Sequence, residues 1–410
     1  MATLKLTMDR SFAYISQGQL FVKLGSEAVR PVESQFGESV RSRAAQIQNR
    51  NSWKTEGSGA RFMSGGLLWG RHDRDAAGMR IAITGVASGC REGELLYSLD
   101  TDDVGGLFRL RNHASEEQRL LHTADFRLRR LAACPGQDRV VCVVQHKGQN
   151  SSIAVMQGDG TDLREVTQGD TIDDSPRWVP GSAAEIVFQS AAIGRNRAGF
   201  PVMQAPFAIQ KLDLEAGLVA TVAEDPKFDL LNPHFDRDGT LWYIRRPYRD
   251  PDQGVSPWRA AVDLVLLPFR LLYAVFQYLN FFTARYTGNT LTTAGQARQK
   301  HADVRKMMVW SNLLEADQSD PGKDGETQPL VPKSWELMRC GAEAKEEVVA
   351  KGVLAFDLFS DGSVLYTDGT NIYSLDRKGA KECVAKDSLI EQVVAIETAE
   401  GSFQKSATVS

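Results

Sequence analysis

Short apolar segments alternate with turn residues along most of the chain, and one phrase recurs. In each copy an apolar or aromatic strand leads into a Pro-Gly or Asp-Gly turn, and a second apolar strand follows. The copies lie at residues 174–181 before 185–188, 232–239 before 241–244, 355–362 before 364–366, and, in degenerate form, 131–136 before 140–144. A repeated hairpin unit predicts a stacked or circular array of small β-sheets.

The spacing of the repeats predicts one all-β domain, a six-bladed β-propeller, over residues 1–400. Units of strands occupy residues 61–122, 124–169, 172–224, 229–349 and 353–386. The last strand, near residues 392–398, has no hairpin after it, and the first strands, from Phe12, have no inner strand before them. Pairing the two ends would complete a sixth blade and close the ring, which removes exposed sheet edges. Seven blades are the alternative if residues 61–122 hold two degenerate blades.

Two stretches interrupt the pattern of strands. Residues 35–60 form a helical or loop insertion, in which Val40, Ala44 and Ile47 have helical spacing, and residues 49–59 are expected to form its loop exit. Residues 250–305 form a second, helical insertion in the penultimate blade. Residues 401–410 are predicted to be a disordered tail.

The repeated phrase resembles the TolB-type, WD-repeat-like propeller family. The family pattern, Ser-Pro-x-Trp-Ser-Pro-Asp-Gly followed by an Ile-Ala-Phe strand, is similar to residues 175–181 and Ile186-Val187-Phe188. A second family element, Ile-Tyr-x-Met-Asp-x-Asp-Gly, resembles residues 153–160. The resemblance implies a bacterial-type scaffold that binds proteins, with no catalytic role. The chain differs from TolB in lacking an evident export signal and N-terminal domain, so the resemblance does not extend to a periplasmic role.

The insertion at 250–305 is the most apolar part of the chain. In a helix, its few polar residues fall on one narrow stripe, and the rest of the surface is apolar or aromatic. Fourteen side chains are the candidate membrane- or partner-binding residues: Trp258, Val262, Leu264, Leu266, Leu267, Phe269, Leu271, Leu272, Tyr273, Phe276, Tyr278, Leu279, Phe281 and Phe282. A basic flank accompanies them: Arg259, Arg270 and Arg285.

This amphipathic pattern favours a helix that lies in a membrane interface over one that spans the bilayer. The longest run without a charge, residues 271–284, is shorter than the roughly 20 residues that a span requires. Aromatic residues suit the depth of the interface, and the arginines suit anionic headgroups. Docking on a protein partner, self-association and packing against its own propeller remain alternatives.

Composition and charge bear on nucleic-acid binding and on the cellular compartment. The 410 residues carry a net charge of −4, which does not favour nucleic-acid binding. No secretory signal is evident at the start of the sequence. Five cysteines, none in a C-x-x-C pair, favour a reducing, cytoplasmic compartment, with the inner face of the membrane as an alternative location.

No catalytic, cofactor-binding or metal-binding residue is predicted. The six histidines form no H-E-x-x-H motif, and neither a phosphate-binding loop nor a nucleophile elbow is present in the sequence. The sequence therefore predicts a non-enzymatic scaffold for an unidentified protein partner. One alternative is a hydrolase or lyase that uses the central channel, which a pocket with a histidine–carboxylate pair would favour. Another is a subunit of a larger complex, with the insertion buried at the interface.

Overall fold

The fold is all-β, with a single helix among the described residues. The computed structural model describes residues 10–55, 81–101, 104–111, 116–134, 136–146, 150–199, 201–248, 306–309, 312–315, 329–341 and 345–397. Within these ranges the strands form antiparallel sheets whose neighbours along the chain are mostly neighbours in the sheet. This is the arrangement of a β-propeller.

The first sheet combines both ends of the described chain. Its strands are β1 (Ser11–Ser16), β2 (Gln19–Lys23), β3 (Arg30–Val32) and β27 (Ile390–Ile396), in the order β27-β1-β2-β3. Ala13 pairs with Val394 in the antiparallel register of β1 and β27. The predicted pairing between the first and last strands is therefore present.

The helix α1 (Gln35–Thr55) follows β3. Ser34 caps it, since the Gly37 N–H donates to the Ser34 hydroxyl at 3.1 Å. The Glu117 carboxylate accepts two further free N–H groups of the first turn. A helix was predicted here, but a loop was predicted from residue 49. That part of the prediction was wrong for residues 49–55, which are helical. Residues 38–56 contain no glycine or proline, so the helix continues.

The second sheet contains β4 (Ile81–Ser88), β5 (Leu95–Thr101), β6 (Gly105–Arg111) and β7 (Glu116–Thr123), in chain order. The strands described between residues 81 and 123 thus form one four-stranded sheet. The alternative of two degenerate blades concerned residues 61–122. Residues 61–80 lie outside the described ranges.

Nine further strands join into one connected sheet through a single parallel bridge between Ser151 and Ile172. The strands before the bridge are β8 (Arg127–Ala133), β9 (Arg139–Gln145), β10 (Ser151–Gln157) and β11 (Arg164–Glu165). Those after it are β12 (Thr171–Trp178), β13 (Glu185–Arg195), β14 (Pro201–Gln204), β15 (Ala208–Asp213) and β16 (Leu218–Ala223). Each side of the bridge is an antiparallel meander, as the repeat predicted.

Two four-stranded sheets and one hairpin complete the described chain. One sheet contains β17 (Phe228–Phe235), β18 (Leu241–Pro247), β21 (Glu336–Cys340) and β22 (Glu346–Lys351). The other contains β23 (Ala355–Leu358), β24 (Val364–Thr367), β25 (Asn371–Leu375) and β26 (Lys381–Lys386). The hairpin, β19 (Lys306–Val309) and β20 (Asn312–Glu315), lies in the chain between β18 and β21.

The turns between first and second strands follow the repeated phrase. Gly181 and Gly239 have φ angles of 81° and 79°, in the left-handed region that glycine tolerates. The Gly239 N–H donates to the Asp236 carbonyl at 3.1 Å and closes the turn. The Pro-Gly and Asp-Gly pairs therefore mark the hairpins because only glycine adopts this conformation without strain.

The first strands of the sheets contact one another. β4 contacts β8, β8 contacts β12, β12 contacts β17, β17 contacts β23, β23 contacts β27, and β27 contacts β4. Apolar clusters fill the spaces between neighbouring sheets. One unites Ala13, Ile15 and Val394 of the first sheet with Tyr97 and Phe108 of the second. Burial of these side chains from both sheets is the main favourable contribution to stability.

All five cysteines lie within the described ranges, and all are free thiols. No helix in the described part of the chain has both the length and the apolar character needed to cross a membrane.

Replacement of Ile15 tests the packing between the first two sheets. Ile15 is 1% exposed and lies between Leu20 of β2 and Gln392 of β27. We expect Ile15→Ala to lower the free energy of unfolding by about 2–5 kcal/mol, measured by chemical denaturation. The control Val348→Ala, on the outer strand β22, should change it by less than about 0.5 kcal/mol. Equal, small effects of both variants would contradict this packing.

Candidate binding cavity at the centre of the sheets

Three first strands share a local irregularity. β8, β12 and β17 each contain a β-bulge, and each bulge includes a non-glycine residue in the left-handed region: Arg130 at φ 48°, Ser175 at 50° and Asn232 at 53°. This conformation costs roughly 1–3 kcal/mol per residue and persists only where the surroundings hold it. Bulges redirect the side chains that follow them.

Hydrogen bonds hold the bulge of β17. The Asn232 N–H donates to the Gln189 side-chain oxygen at 2.7 Å, and the Asn232 amide donates to the Phe356 carbonyl at 3.1 Å. These bonds connect β17 to β13 on one side and to β23 on the other. The bulge is therefore part of the contact between three sheets.

The residues that follow the bulges of β12 and β17 are Arg177 and His234, and Asp357 of β23 meets them. His234 Nε2 lies 3.2 Å from Asp357 Oδ1. Arg177 lies 3.9 Å from the same oxygen. The three side chains form a compact charged cluster, which we call the His234–Asp357–Arg177 cluster.

Asp357 is fixed in place by backbone donors. The Ala395 N–H donates to Asp357 Oδ2 at 2.9 Å, and the Leu358 N–H donates to Oδ1 at 3.1 Å. Burial raises the pKa of Asp357, but the nearby Arg177 guanidinium and His234 outweigh it, so its pKa lies below the usual value. Asp357 is therefore a carboxylate at neutral pH.

His234 is 6% exposed and packs against the Phe356 ring, with ring centroids 4.7 Å apart. Its Nδ1 lies 3.1 Å from the Asn232 carbonyl. Burial, followed by the positive charge of Arg177, lowers the pKa of His234 below 6.5 despite the neighbouring Asp357. The imidazole is therefore neutral at pH 7.

The cluster lies on the wall of a wide cavity of about 2040 Å³. The walls also contain the turns between first and second strands, including Gly181 and Gly362, and charged residues of both signs. Several of these are paired, such as Arg339 with Glu347 at 2.6 Å. The Arg177 side chain is 17% exposed, lies beside Asp357, and belongs to the lining of the cavity.

Polar groups continue inward from the cluster. Arg130, Ser175, Asn232 and Gln392 line a narrow space between the first strands, beside Arg177. Ser175 Oγ is buried without a hydrogen-bond partner among the described residues. Leu131, Ala355, Phe356 and Val393 also line this space, so its walls are both polar and apolar.

The sequence did not predict this cluster, although the signal was present. In the repeated phrase, Arg177, His234 and Asp357 stand in corresponding positions: Pro-Arg-Trp, Pro-His-Phe and Phe-Asp-Leu. They are the variable residues of three repeats, and the contacts of β17 with β12 and β23 bring them together. His234, one of the six histidines, is buried. The histidine–carboxylate pair that would favour an enzyme is present.

The predicted binding residues of the insertion lie outside the described residues. This applies to all of the apolar set from Trp258 to Phe282 and to Arg259, Arg270 and Arg285. The tail at 401–410 lies outside them as well. In the described ranges, no three metal-ligating side chains converge.

Comparison with known proteins identifies no family. No family model matches the chain, and no curated protein matches it. A chain of a nidogen/laminin complex is 7% identical with a TM-score of 0.49, covering 94% of this chain and 98% of that one. TolB from Acinetobacter baumannii is 9% identical with a TM-score of 0.48, covering 95% of this chain and 66% of that one. The tricorn protease is 12% identical with a TM-score of 0.46, covering 94% of this chain and 34% of that one.

This chain thus spans less than two thirds of the TolB and tricorn protease chains. These similar structures include TolB and a protease, and none of them assigns an activity to this chain.

The lowered pKa of His234 predicts a pH dependence of stability. Because the folded-state pKa lies below the 6.5 of the unfolded chain, protons bind the unfolded state more tightly. His234 therefore lowers the free energy of unfolding as pH falls below about 6.5, until the folded-state pKa is passed. We expect His234→Asn to flatten the fall in Tm between about pH 7.5 and about pH 5.

The control for this measurement is His146→Asn, at a half-exposed position of the surface. This variant retains His234 and should keep the slope of the wild-type chain. Identical slopes in all three proteins would contradict the assignment to His234.

Proposed function

We propose that the chain is a closed six-bladed β-propeller that acts as a non-enzymatic, protein-binding scaffold. The cyclic contacts of β4, β8, β12, β17, β23 and β27 support six blades. The pairing of β27 with β1 supports closure by the two ends of the chain. In this arrangement the 250–305 insertion belongs to the fifth blade, between β18 and β21.

The observation that carries the binding function is the size and polarity of the cavity. Its volume of about 2040 Å³ exceeds the roughly 300–1,000 Å³ of small-molecule sites. Charges of both signs line it, which suits a protein segment better than a small apolar ligand. We therefore place the partner's contact segment in this cavity.

Arg177 is the anchor of the proposed interaction. Its guanidinium lies beside Asp357, and the residue lines the cavity. Arginine is enriched at the energetic centres of interfaces because it binds carboxylates and carbonyls with several donors at once. The partner segment therefore presents acceptor groups, such as a carboxylate, to Arg177.

Charge reversal at Arg177 tests this site. We expect Arg177→Glu to reduce co-purification of partner proteins with the tagged chain by about tenfold or more, since loss of a central arginine costs at least about 1.4 kcal/mol. Quantitative mass spectrometry of the captured proteins is the measurement.

The matched control is Arg164→Glu, an exposed arginine on the outer strand β11. It makes the same change of charge far out on a blade and should leave recovery unchanged. Thermal unfolding shows whether both variants are folded. The same proteins recovered at the same level with Arg177→Glu would argue against the cavity.

The insertion provides a second docking element in this proposal. The apolar set from Trp258 to Phe282 docks on a membrane surface or a partner, and Arg259, Arg270 and Arg285 add attraction to anionic headgroups. The proposed location is the cytoplasm, with peripheral attachment to the inner face of the membrane. Self-association through the insertion and burial in a larger complex are the competing explanations.

Vesicle co-sedimentation tests the docking of the insertion. We expect the full chain to sediment with anionic vesicles, less so at high salt, and a variant lacking 256–286 to remain in solution. Neutral vesicles are the lipid control. Equal binding by both proteins, or none by either, would contradict membrane docking.

The His234–Asp357 pair favours one further candidate, an enzyme in which His234 is a general base. Its lowered pKa leaves the imidazole unprotonated at neutral pH, as a general base must be. Its two ring nitrogens, however, lie beside the Asn232 carbonyl and the Asp357 carboxylate. A screen of ester, peptide and glycoside substrates tests whether the chain has catalytic activity. Turnover that falls by about a hundredfold or more in His234→Gln would support the enzyme.

A further inference from the structure

The narrow space beside Arg177, which we call the inner space, lies where five first strands meet. Residues of β8, β12, β17, β23 and β27 line it. Its volume of about 10 Å³ is room for about one water-sized group. Arg177 lines both the inner space and the wide cavity, so the two adjoin at this residue.

Ser175 brings an unbonded hydroxyl to the wall of the inner space. The residue is 4% exposed, and its Oγ is buried without a hydrogen bond in the part of the chain that the structure describes. Two amides of the same wall are bonded. The Asn232 amide donates to the Phe356 carbonyl at 3.1 Å, and the Gln392 amide donates to the Val86 carbonyl at 2.8 Å. Because buried polar groups are normally bonded, the Ser175 hydroxyl indicates that a further polar group belongs in this space.

Two arginines line the same space, and their ion pairs are long. Arg130 lies 4.0 Å from Asp174, and Arg177 lies 3.9 Å from Asp357. Both distances exceed the roughly 2.7–2.9 Å of a direct charge-assisted hydrogen bond. Burial is the main cause that lowers the pKa of Arg130, and the positive charge of Arg177 acts in the same direction. An anionic group near both arginines would offset their mutual repulsion.

Backbone donors stabilise the two neighbouring carboxylates independently of the arginines. Asp174 Oδ1 accepts the Ser175 N–H at 2.6 Å. Asp357 accepts one backbone N–H on each of its oxygens, at 3.1 Å and 2.9 Å. Hydrogen bonds to a carboxylate favour its charged form, so these two groups do not depend on a close arginine. The guanidinium charges are therefore only partly matched within the chain.

We propose that the inner space binds one oxygen of a carboxylate side chain of the partner segment, with Arg130, Arg177 and the Ser175 hydroxyl as its donors. This inference rests on the proposed function and adds the chemistry of the contact, an aspartate or glutamate that reaches past Arg177. The volume admits one oxygen and no larger group, so the second oxygen stays in the cavity. A neutral amide would satisfy Ser175, but it would not offset the repulsion between the arginines.

Formate, the smallest carboxylate, is the probe for the site itself. We expect the proton resonance of formate to broaden when the full chain is added, with a Kd that Ser175→Ala raises on the order of tenfold. The control Ser374→Ala makes the same change at a serine of similar burial in β25 and should leave the Kd unchanged. Absence of binding, or equal binding by the wild-type chain and Ser175→Ala, would overturn the inference.

Ser175→Asn guards against a folding defect. Asparagine tolerates the left-handed conformation of this position, as Asn232 does in β17, and its longer side chain would fill the inner space. We expect a cooperative thermal transition like that of the wild-type chain and loss of formate binding. Wild-type affinity for formate in this variant would show that formate binds elsewhere, which would overturn the inference.

Two peptides distinguish a side chain of a protein segment from a free small carboxylate. Both have two glycines on each side of a central residue and blocked ends, and the central residue is aspartate in one and asparagine in the other. We expect the aspartate peptide to bind the full chain on the order of tenfold more tightly and to displace formate. Equal binding of the two peptides would overturn the inference, and formate binding alone would then assign the site to a free carboxylate.

Recovery of partner proteins separates this inference from the proposed function. We expect Ser175→Ala to lower the recovery, as Arg177→Glu does. If Arg177→Glu lowers it and Ser175→Ala does not, the cavity binds the partner without the inner space, and only this inference fails. If neither variant lowers it, both fail.

Discussion

The pairing of β27 with β1 is the constraint on which the remaining structure depends. Alternate residues of β27 point to opposite faces of its sheet. Val394 and Ile396 pack with the second sheet, whereas Val393 and Ala395 pack with the sheet of β23–β26. One strand therefore contributes to two apolar clusters, and through the Ala395 N–H it also positions Asp357. Without this strand, β1 would present an unpaired edge, and two clusters would lose one of their walls.

The His234–Asp357–Arg177 cluster depends on local irregularities in otherwise regular strands. The bulges of β12 and β17 place Ser175 and Asn232 in the left-handed region, which asparagine tolerates better than serine. The next residues, Arg177 and His234, belong to the lining of the cavity. Hydrogen bonds from neighbouring sheets hold the strained residues, as the Asn232–Gln189 contact illustrates. The bulges lower stability locally, and they position Arg177 and His234 at the cavity.

The sequence predicted the hairpins well because their signals are local. Glycine at 181 and 239 and alternation of apolar residues depend on a few neighbouring positions. It placed the end of α1 too early because residues 49–55 contain many polar residues but no residue that breaks a helix. The cluster of Arg177, His234 and Asp357 was missed for another reason. These residues are far apart in sequence, and each is the variable member of its repeat, so only the contacts of β17 with β12 and β23 bring them together.

The joining of the two chain ends also has a consequence for biosynthesis. Tyr14 of β1 bonds to Asp387, which lies 373 residues later and just before β27. A contact of such high sequence separation forms slowly, since a long loop must close before the contact is gained. On the ribosome, β1 leaves the exit tunnel early and must wait for the last strand to be translated. We therefore expect the first sheet to be completed only after β27 has been translated.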